Sequence, residues 1–287
     1  MIRGGDIVSS YEQIVVTTQD RVTTIALNRP DRLNAWTAVM ADEMRRAVLA
    51  AGRDPASRCI VITGTGRGFC AGADMDSLQT IAGSGAGVTP TGAQADDAGF
   101  ADAPGPELAE IYPGPFGYFY DCPKPVIAAI NGPCAGIGLV MTLFADLRFA
   151  ATEAKFTTAF AARGLIAEHG LAWVLPRLVG EAQALDLLLT ARKFTGAEAA
   201  GIGLVNAALP GDALMDHVGS LARSLAHDVS PRSMAVMKRQ IRKSHGQSFA
   251  ASLAEANQLM QDSFGSADFA EGVQSFVDRR PADFPDL

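Results

Sequence analysis

The sequence predicts an α/β fold with parallel strand pairing, and three features of the chain point there. Short β-branched strands alternate with helices of clear apolar periodicity. Two of those strands run into glycine-rich turns, 64–78 and 131–141, that open helices. From about Asp212 the pattern becomes helical throughout. Strands spaced this way by helices are the signature of parallel units.

Taken in order, IVVTT (14–18) and RVTTIALN (21–28) read as two strands turning at Gln19-Asp20. Thr37 is a natural N-cap for a helix whose apolar residues Val39, Met40, Met44, Ala47 and Val48 recur at helical spacing. CIVITG (59–64) is a short buried strand, and a helix is expected near Asp74 or Met75. PVIAAIN (125–131) repeats the arrangement, with a helix from about Gly136 and a strand at 147–150. Residues 79–115 are rich in Gly, Ala, Pro and Asp with little periodicity until Leu108, and are expected to form a long functional or disordered loop. ALMDHVGSLARSLAHDV, PRSMAVMKRQIRKSHG and SFAASLAEANQLMQDSF predict C-terminal helices separated by Ser, Pro and Gly breaks.

Composition narrows the class. Across 287 residues, 48% apolar content supplies a large core, while a net charge of −7 argues against a nucleic-acid surface. Cys59, Cys70, Cys122 and Cys134 stand singly, without metal-type spacing, and read as reduced thiols. No stretch is both long and apolar enough to span a bilayer, and the N-terminus shows no apolar leader, so a soluble cytoplasmic protein is expected.

The glycine-rich turns carry the chemistry. Each leaves backbone N–H groups without an intrahelical partner and has small residues that let a ligand atom approach: Ala71, Gly72 and Ala73 in one, Gly136, Ile137 and Gly138 in the other. Two such donors converging on one oxygen would make an oxyanion hole. Either turn alone reads better as tight packing and only the pair is informative, and GTGRGF lacks the residues of a phosphate-binding loop or dinucleotide site.

NRPDRLNAWT (28–37), GFCAGADMDSL (68–78), KPVIAAINGPCAGIGL (124–139) and ADLRFAATEAKF (145–156) stand in an order and spacing that resembles the crotonase superfamily. RGLIAEHGLAWVLPRLVG (163–180), FTGAEAAGIGLVN (194–206) and FVDRRPADF (276–284) continue the likeness, which runs from about Tyr11 to Phe284. The resemblance implies a spiral of ββα turns with a C-terminal helical trimerisation region. Residues 1–210 would form the core with the acyl-CoA site and the 79–115 loop, and 211–287 the oligomerisation region of a homotrimer or hexamer. It also implies an enzyme of acyl-CoA and fatty acid metabolism, with no cofactor beyond the coenzyme A of the substrate and no metal. The backbone N–H groups of Ala73 and Ile137 would hold the thioester oxygen. Arg32, Leu33, Ala35, Ala71, Asp74, Met75 and Gly136 would contact the coenzyme A portion, Arg32 being placed to pair with a phosphate.

Hydratases of this family use two glutamates, and the resemblance places those positions at Val140 and Phe160, neither of which can move a proton. Glu168 falls where family isomerases carry a single acid, with Phe160, Leu165, Ile166 and Trp173 expected to form an apolar pocket that raises its pKa. The alternative for Glu168 is a cap for the helix near Gly170. His169 is expected to point away from it and to be exposed or structural rather than a general base, since adjacent side chains on a turn diverge. Asp74 and Asp76 read as helix-capping charges, Thr195 with Glu198 as a capping box, and Cys70 as a buried filler. Phe116, Tyr118 and Phe119 fit either an acyl tunnel or the core. The readings that follow are an enoyl-CoA isomerase with one carboxylate, a hydratase (a lyase) using Glu168 and an unidentified second acid, or a non-catalytic acyl-CoA binder.

Overall fold

The β-branched residues near the start of the chain form a hairpin of β1 (Ile14–Gln19) and β2 (Val22–Leu27), closed by Asp20 and Arg21 in left-handed backbone with φ of 51° and 60°. From β2 onward the pairing is parallel. β3 (Cys59–Gly64), β4 (Val126–Ile130), β6 (Leu147–Ala151) and β9 (Ala207–Leu209) extend the sheet in the order β1-β2-β3-β4-β6-β9. The computed structural model describes residues 11–84, 100, 102–108 and 111–287. Part of the segment expected to be a long loop, 85–99, 101 and 109–110, and the N-terminal stretch 1–10 lie outside the described residues.

A thinner second layer runs beside the sheet. It contains β5 (Cys134–Ala135), β7 (Lys155–Thr157) and β8 (Phe194–Thr195), in that order. Single parallel bridges, Trp36 with Ala73 and Cys70 with Cys134, tie two further stretches into it. The chain therefore repeats one unit: a long strand, a turn, a short extended stretch and a helix. The unit occurs at β2 and Trp36 before α1 (Ala38–Arg53), at β3 and 70–73 before α2 (Met75–Ser84), and at β4 and β5 before α4 (Ile137–Leu143). A short α3 (Gly117–Asp121) lies between α2 and β4. This is the spiral of ββα turns that the crotonase resemblance implies.

The local rules account for most element ends. The Thr37 hydroxyl accepts from the Met40 N–H at 3.1 Å and starts α1. Met40, Met44, Ala47 and Val48 are buried, but Val39 is exposed, because a residue one step from Met40 falls outside the stripe facing the sheet. Residues 79–84 belong to α2 rather than to a loop, since the helix begun at Met75 continues through them.

After β6 and β7 the chain makes α5 (Leu171–Val179), α6 (Glu181–Thr190) and α7 (Gly196–Gly201), then β9. The Thr195 hydroxyl caps α7 by accepting from the Glu198 N–H at 3.2 Å, while the Glu198 carboxylate pairs with Arg192. α8 (Leu214–His227) packs on the sheet through Leu214, Val218 and Ala222. α9 (Pro231–Ser244), α10 (Phe249–Phe264) and α11 (Ala267–Asp278) complete the chain, α11 lying beyond the helices named from the sequence. Among the described residues no helix is long and apolar enough to cross a membrane.

Candidate active site

The first glycine-rich turn is held by the loop that precedes α1. Leu33 and Asn34 adopt left-handed backbone, φ 48° and 55°, a conformation Asn tolerates better than most residues. The fully buried Asn34 accepts from the Arg29 N–H through Oδ1 and donates through Nδ2 to Thr65 O and Gly68 O. Ala71 N–H donates to Leu33 O, Trp36 N–H to Gly72 O, and Asp74 N–H to Trp36 O. In a parallel bridge of that pattern, the N–H of Ala73 itself faces away from Trp36.

Asp74 closes the turn. Its carboxylate is 2.8 Å from Arg29 Nη1 and accepts from the Asp76 N–H at 3.1 Å, so it starts α2 as a cap. The Arg29 guanidinium holds the Asp74 pKa below its ordinary value. Arg29 also donates to Ala35 O, joining both loops at one cation. Arg32 and Met75 are exposed, with Arg32 3.8 Å from Asp76; Leu33 and Ala35 are half-buried and Ala71 is exposed.

The second turn lies against the first. Cys70 N–H donates to Pro133 O, Ala135 N–H to Cys70 O, and Gly136 N–H to Thr157 O. A methyl group built on Gly72 would sit 3.3 Å from Ala135 O, and one built on Gly136 would lie 3.9 Å from Gly72 Cα. Both glycines have positive φ, 104° and 50°, so the backbone shape favours glycine at each, and at Gly72 the close approach to Ala135 O does so as well. Ile137 is the first residue of α4 and its N–H has no intrahelical acceptor. Pro133 O, four residues back, is taken by the N–H groups of Phe69 and Cys70. Among the described residues, no backbone acceptor from a turn or loop is recorded for the N–H of Ala73 or of Ile137.

Glu168 and His169 sit on the turn before α5. Contrary to the expected divergence, Glu168 Oε2 and His169 Nε2 are 3.5 Å apart. The reason is the left-handed backbone at His169, φ 53°, which swings its ring back over the preceding residue. The apolar pocket expected around Glu168 is not formed by Leu165 and Ile166, which are exposed, Ile166 at 78%; both lie on an open turn rather than on a packed helix face. Nor does Glu168 cap α5: Gly170 is the N-cap, with no side-chain bond to it. Burial lowers the His169 pKa, an effect the Glu168 charge opposes in part.

Phe116 connects the pieces. Its ring centroid is 6.0 Å from Trp36, 5.6 Å from Phe144 at the end of α4, and 6.1 Å from His169. The buried ring thus touches the partner strand of Ala73, the helix opened by Ile137 and the turn bearing Glu168. Phe116 and Phe119 are core residues.

The model of the enoyl-CoA hydratase/isomerase family matches residues 17–98 and 107–286. The chain belongs to this family. Within the crotonase superfamily, it is 35% identical over 96% of its length to a "probable enoyl-CoA hydratase" of Rhodobacter capsulatus, covering 98% of that protein. It is 32% identical to the 1,2-epoxyphenylacetyl-CoA isomerase of Escherichia coli, with 95% of this chain and 98% of that one covered. The crystal structure of an enoyl-CoA hydratase from Bacillus anthracis superposes with a TM-score of 0.80 at 26% identity, covering 96% of this chain and 99% of that one.

In this enoyl-CoA hydratase/isomerase family member, Val140 and Phe160 are both buried apolar residues. Cys70 is fully buried, its thiol pushed up to about 12 by desolvation, and packs as a filler under α4. Sequence reasoning did not single out Arg29, Asn34 or Phe116 as organisers of the site. An Asn in a proline-containing turn was the available signal for Asn34.

Proposed function

We propose that the chain isomerises enoyl-CoA thioesters through an enolate, with Ala73 and Ile137 holding the thioester oxygen and Glu168 carrying the proton. The observation that carries the reading is the meeting of the two turns at Gly72 and Gly136, next to two amides with no recorded backbone acceptor. A proton α to a thioester is too weakly acidic for an unaided carboxylate. As it leaves, negative charge develops on the carbonyl oxygen, and each fixed N–H aimed there is worth roughly 10²–10³ in rate. The carboxylate takes the proton from the α carbon of a 3-enoyl-CoA and returns it to the γ carbon, leaving the 2-enoyl isomer. One acid suffices for this, in keeping with the apolar Val140 and Phe160. The isomerase among the relatives supports the same class of chemistry.

Coenzyme A is part of the substrate in this reading and no other cofactor takes part. It runs along Arg32–Ala35 and Ala71–Met75, with the exposed Arg32 free to swing from Asp76 to a phosphate. The Asp74 carboxylate is engaged by Arg29, so its contribution is to shape the turn.

The test is turnover of a 3-enoyl-CoA by wild type and Glu168→Gln. The variant should lose about 10²–10⁴ in kcat, the range for a positioned acid–base group. Unchanged turnover would remove Glu168 from the mechanism. The relative named as a hydratase favours a second reading, water addition by Glu168 with another acid. That reading requires a 3-hydroxyacyl product from 2-enoyl-CoA. Binding of acyl-CoA with no turnover of either substrate would instead make the chain a binder.

A further inference from the structure

We infer that His169 is a positioning residue for Glu168: its imidazole, 3.5 Å from carboxylate Oε2, engages that oxygen when substrate binds, so that Oε1 is the oxygen that carries the proton. The inference rests on the reading of Glu168 as the proton carrier. Three separate observations lead to it.

The first is the contact itself, 3.5 Å between Glu168 Oε2 and His169 Nε2, the one polar side-chain contact recorded for that carboxylate among the described residues. The separation is long for a hydrogen bond, and such bonds commonly tighten when substrate binds.

The second is the backbone. His169 and Gly170 are consecutive left-handed residues, φ 53° and 80°. A non-glycine residue adopts this region at a cost, and such positions cluster where a side chain must be aimed. Without it, neighbouring side chains would diverge and the contact would be lost.

The third is the far side of the ring. Phe116 presents an edge to the imidazole at 6.1 Å with the planes 78° apart, fixing its tilt. The side chain is only 22% exposed, and Glu168 is the charged group acting on it; Phe116, from the segment entering α3, contributes none. Burial favours the neutral imidazole, which keeps one N–H to donate.

The role is tested with His169→Gly, whose residue suits the left-handed backbone, and with His169→Gln, which restores an N–H donor. His169→Asn, also tolerant of that backbone but too short to reach Oε2, replaces the glycine variant should that one fail to fold. Steady-state kinetics on a 3-enoyl-CoA across pH should show His169→Gly losing about 10–100-fold in kcat, the range known for groups that orient a metal ligand. KM should change much less. His169→Gln should recover part of the lost kcat, because it restores an N–H donor. In a Glu168→Gln background, His169→Gly should have no further effect.

The failures are distinct. If Glu168→Gln turns over like wild type, the underlying reading falls and this inference with it. If Glu168→Gln is inactive but His169→Gly keeps the wild-type kcat, or His169→Gln behaves no better than His169→Gly, the imidazole is only packing.

Discussion

Asp74 shows how much of the site depends on one ion pair. Its carboxylate is buried, faces Arg29 at 2.8 Å and caps α2 through the Asp76 N–H. The Arg29 hydrogen bond keeps its folded pKa below the ordinary value. Stabilisation of that kind is complete above the unfolded pKa of about 3.9 and disappears as pH falls through the folded one. Asp74→Asn should therefore cost about 1.5–3 kcal/mol at neutral pH, the worth of a hydrogen bond to a charged group. Urea unfolding at neutral pH and at progressively acid pH checks this: the gap between wild type and variant should close in acid, and a gap independent of pH would refute the assignment. At this scale the sequence was partly legible. The capping role of Asp74 follows from its place before an apolar run, whereas its pairing with Arg29 crosses 45 positions and has no local signature. The approach of His169 to Glu168 was misjudged for a related reason. It depends on a left-handed φ at a non-glycine residue, and neither propensity nor spacing reports that.

Among the elements, α4 presents the sharpest test, because it is separated from the first turn by the absence of one methyl group. A Cβ on Gly138 would sit 2.6 Å from Cys70 Cβ, 2.7 Å from its Sγ and 2.8 Å from its backbone O. Alanine is the better helix former by roughly 1 kcal/mol, but overpacking against a rigid strand costs about 1–3 kcal/mol. The Cys70 oxygen cannot rotate away, since it accepts from Ala135 N–H in the bridge joining the turns. Gly138→Ala should thus lower the urea midpoint at unchanged m-value. Turnover should fall further than stability alone explains, because pushing α4 outward separates Ile137 from Ala73. A variant as stable and active as wild type would show that the two turns need not touch. The long strands were legible because CIVITG and VIAAI are buried runs of β-branched and small residues. The second layer was not: a two-residue strand or a single bridge is too short to display a period, so the repeated ββα unit emerges only from the pairing of Trp36, Cys70, Cys134 and Phe156.

The whole molecule carries an imbalance at its C-terminal end. α8 closes on the sheet and α9 buries Ala235, Val236 and Arg239, but α10 buries none of its residues. Phe249 is 83% exposed and Phe276 on α11 85%, and Met237, Ile241, Leu253, Met260, Phe264 and Val277 on α9, α10 and α11 are exposed as well. Apolar residues scattered singly on a surface need no explanation, whereas this many on three successive helices point to a contact. Burying a large side chain such as Phe contributes about 1.5–3 kcal/mol, so a few of these residues outweigh the rigid-body entropy lost on association only if they act together. We propose that copies of the chain meet there, as trimers or hexamers. Sedimentation equilibrium should then place wild type at three or six times the 30.0 kDa chain mass. Leu253→Glu combined with Phe276→Glu should drive it toward single chains, since each buried carboxylate would need a partner that an apolar surface lacks. Far-ultraviolet circular dichroism separates this from unfolding, because neither residue is part of the core and helix content should be retained. A wild type that sediments as one chain at micromolar concentration would leave the exposed face without the partner assigned to it.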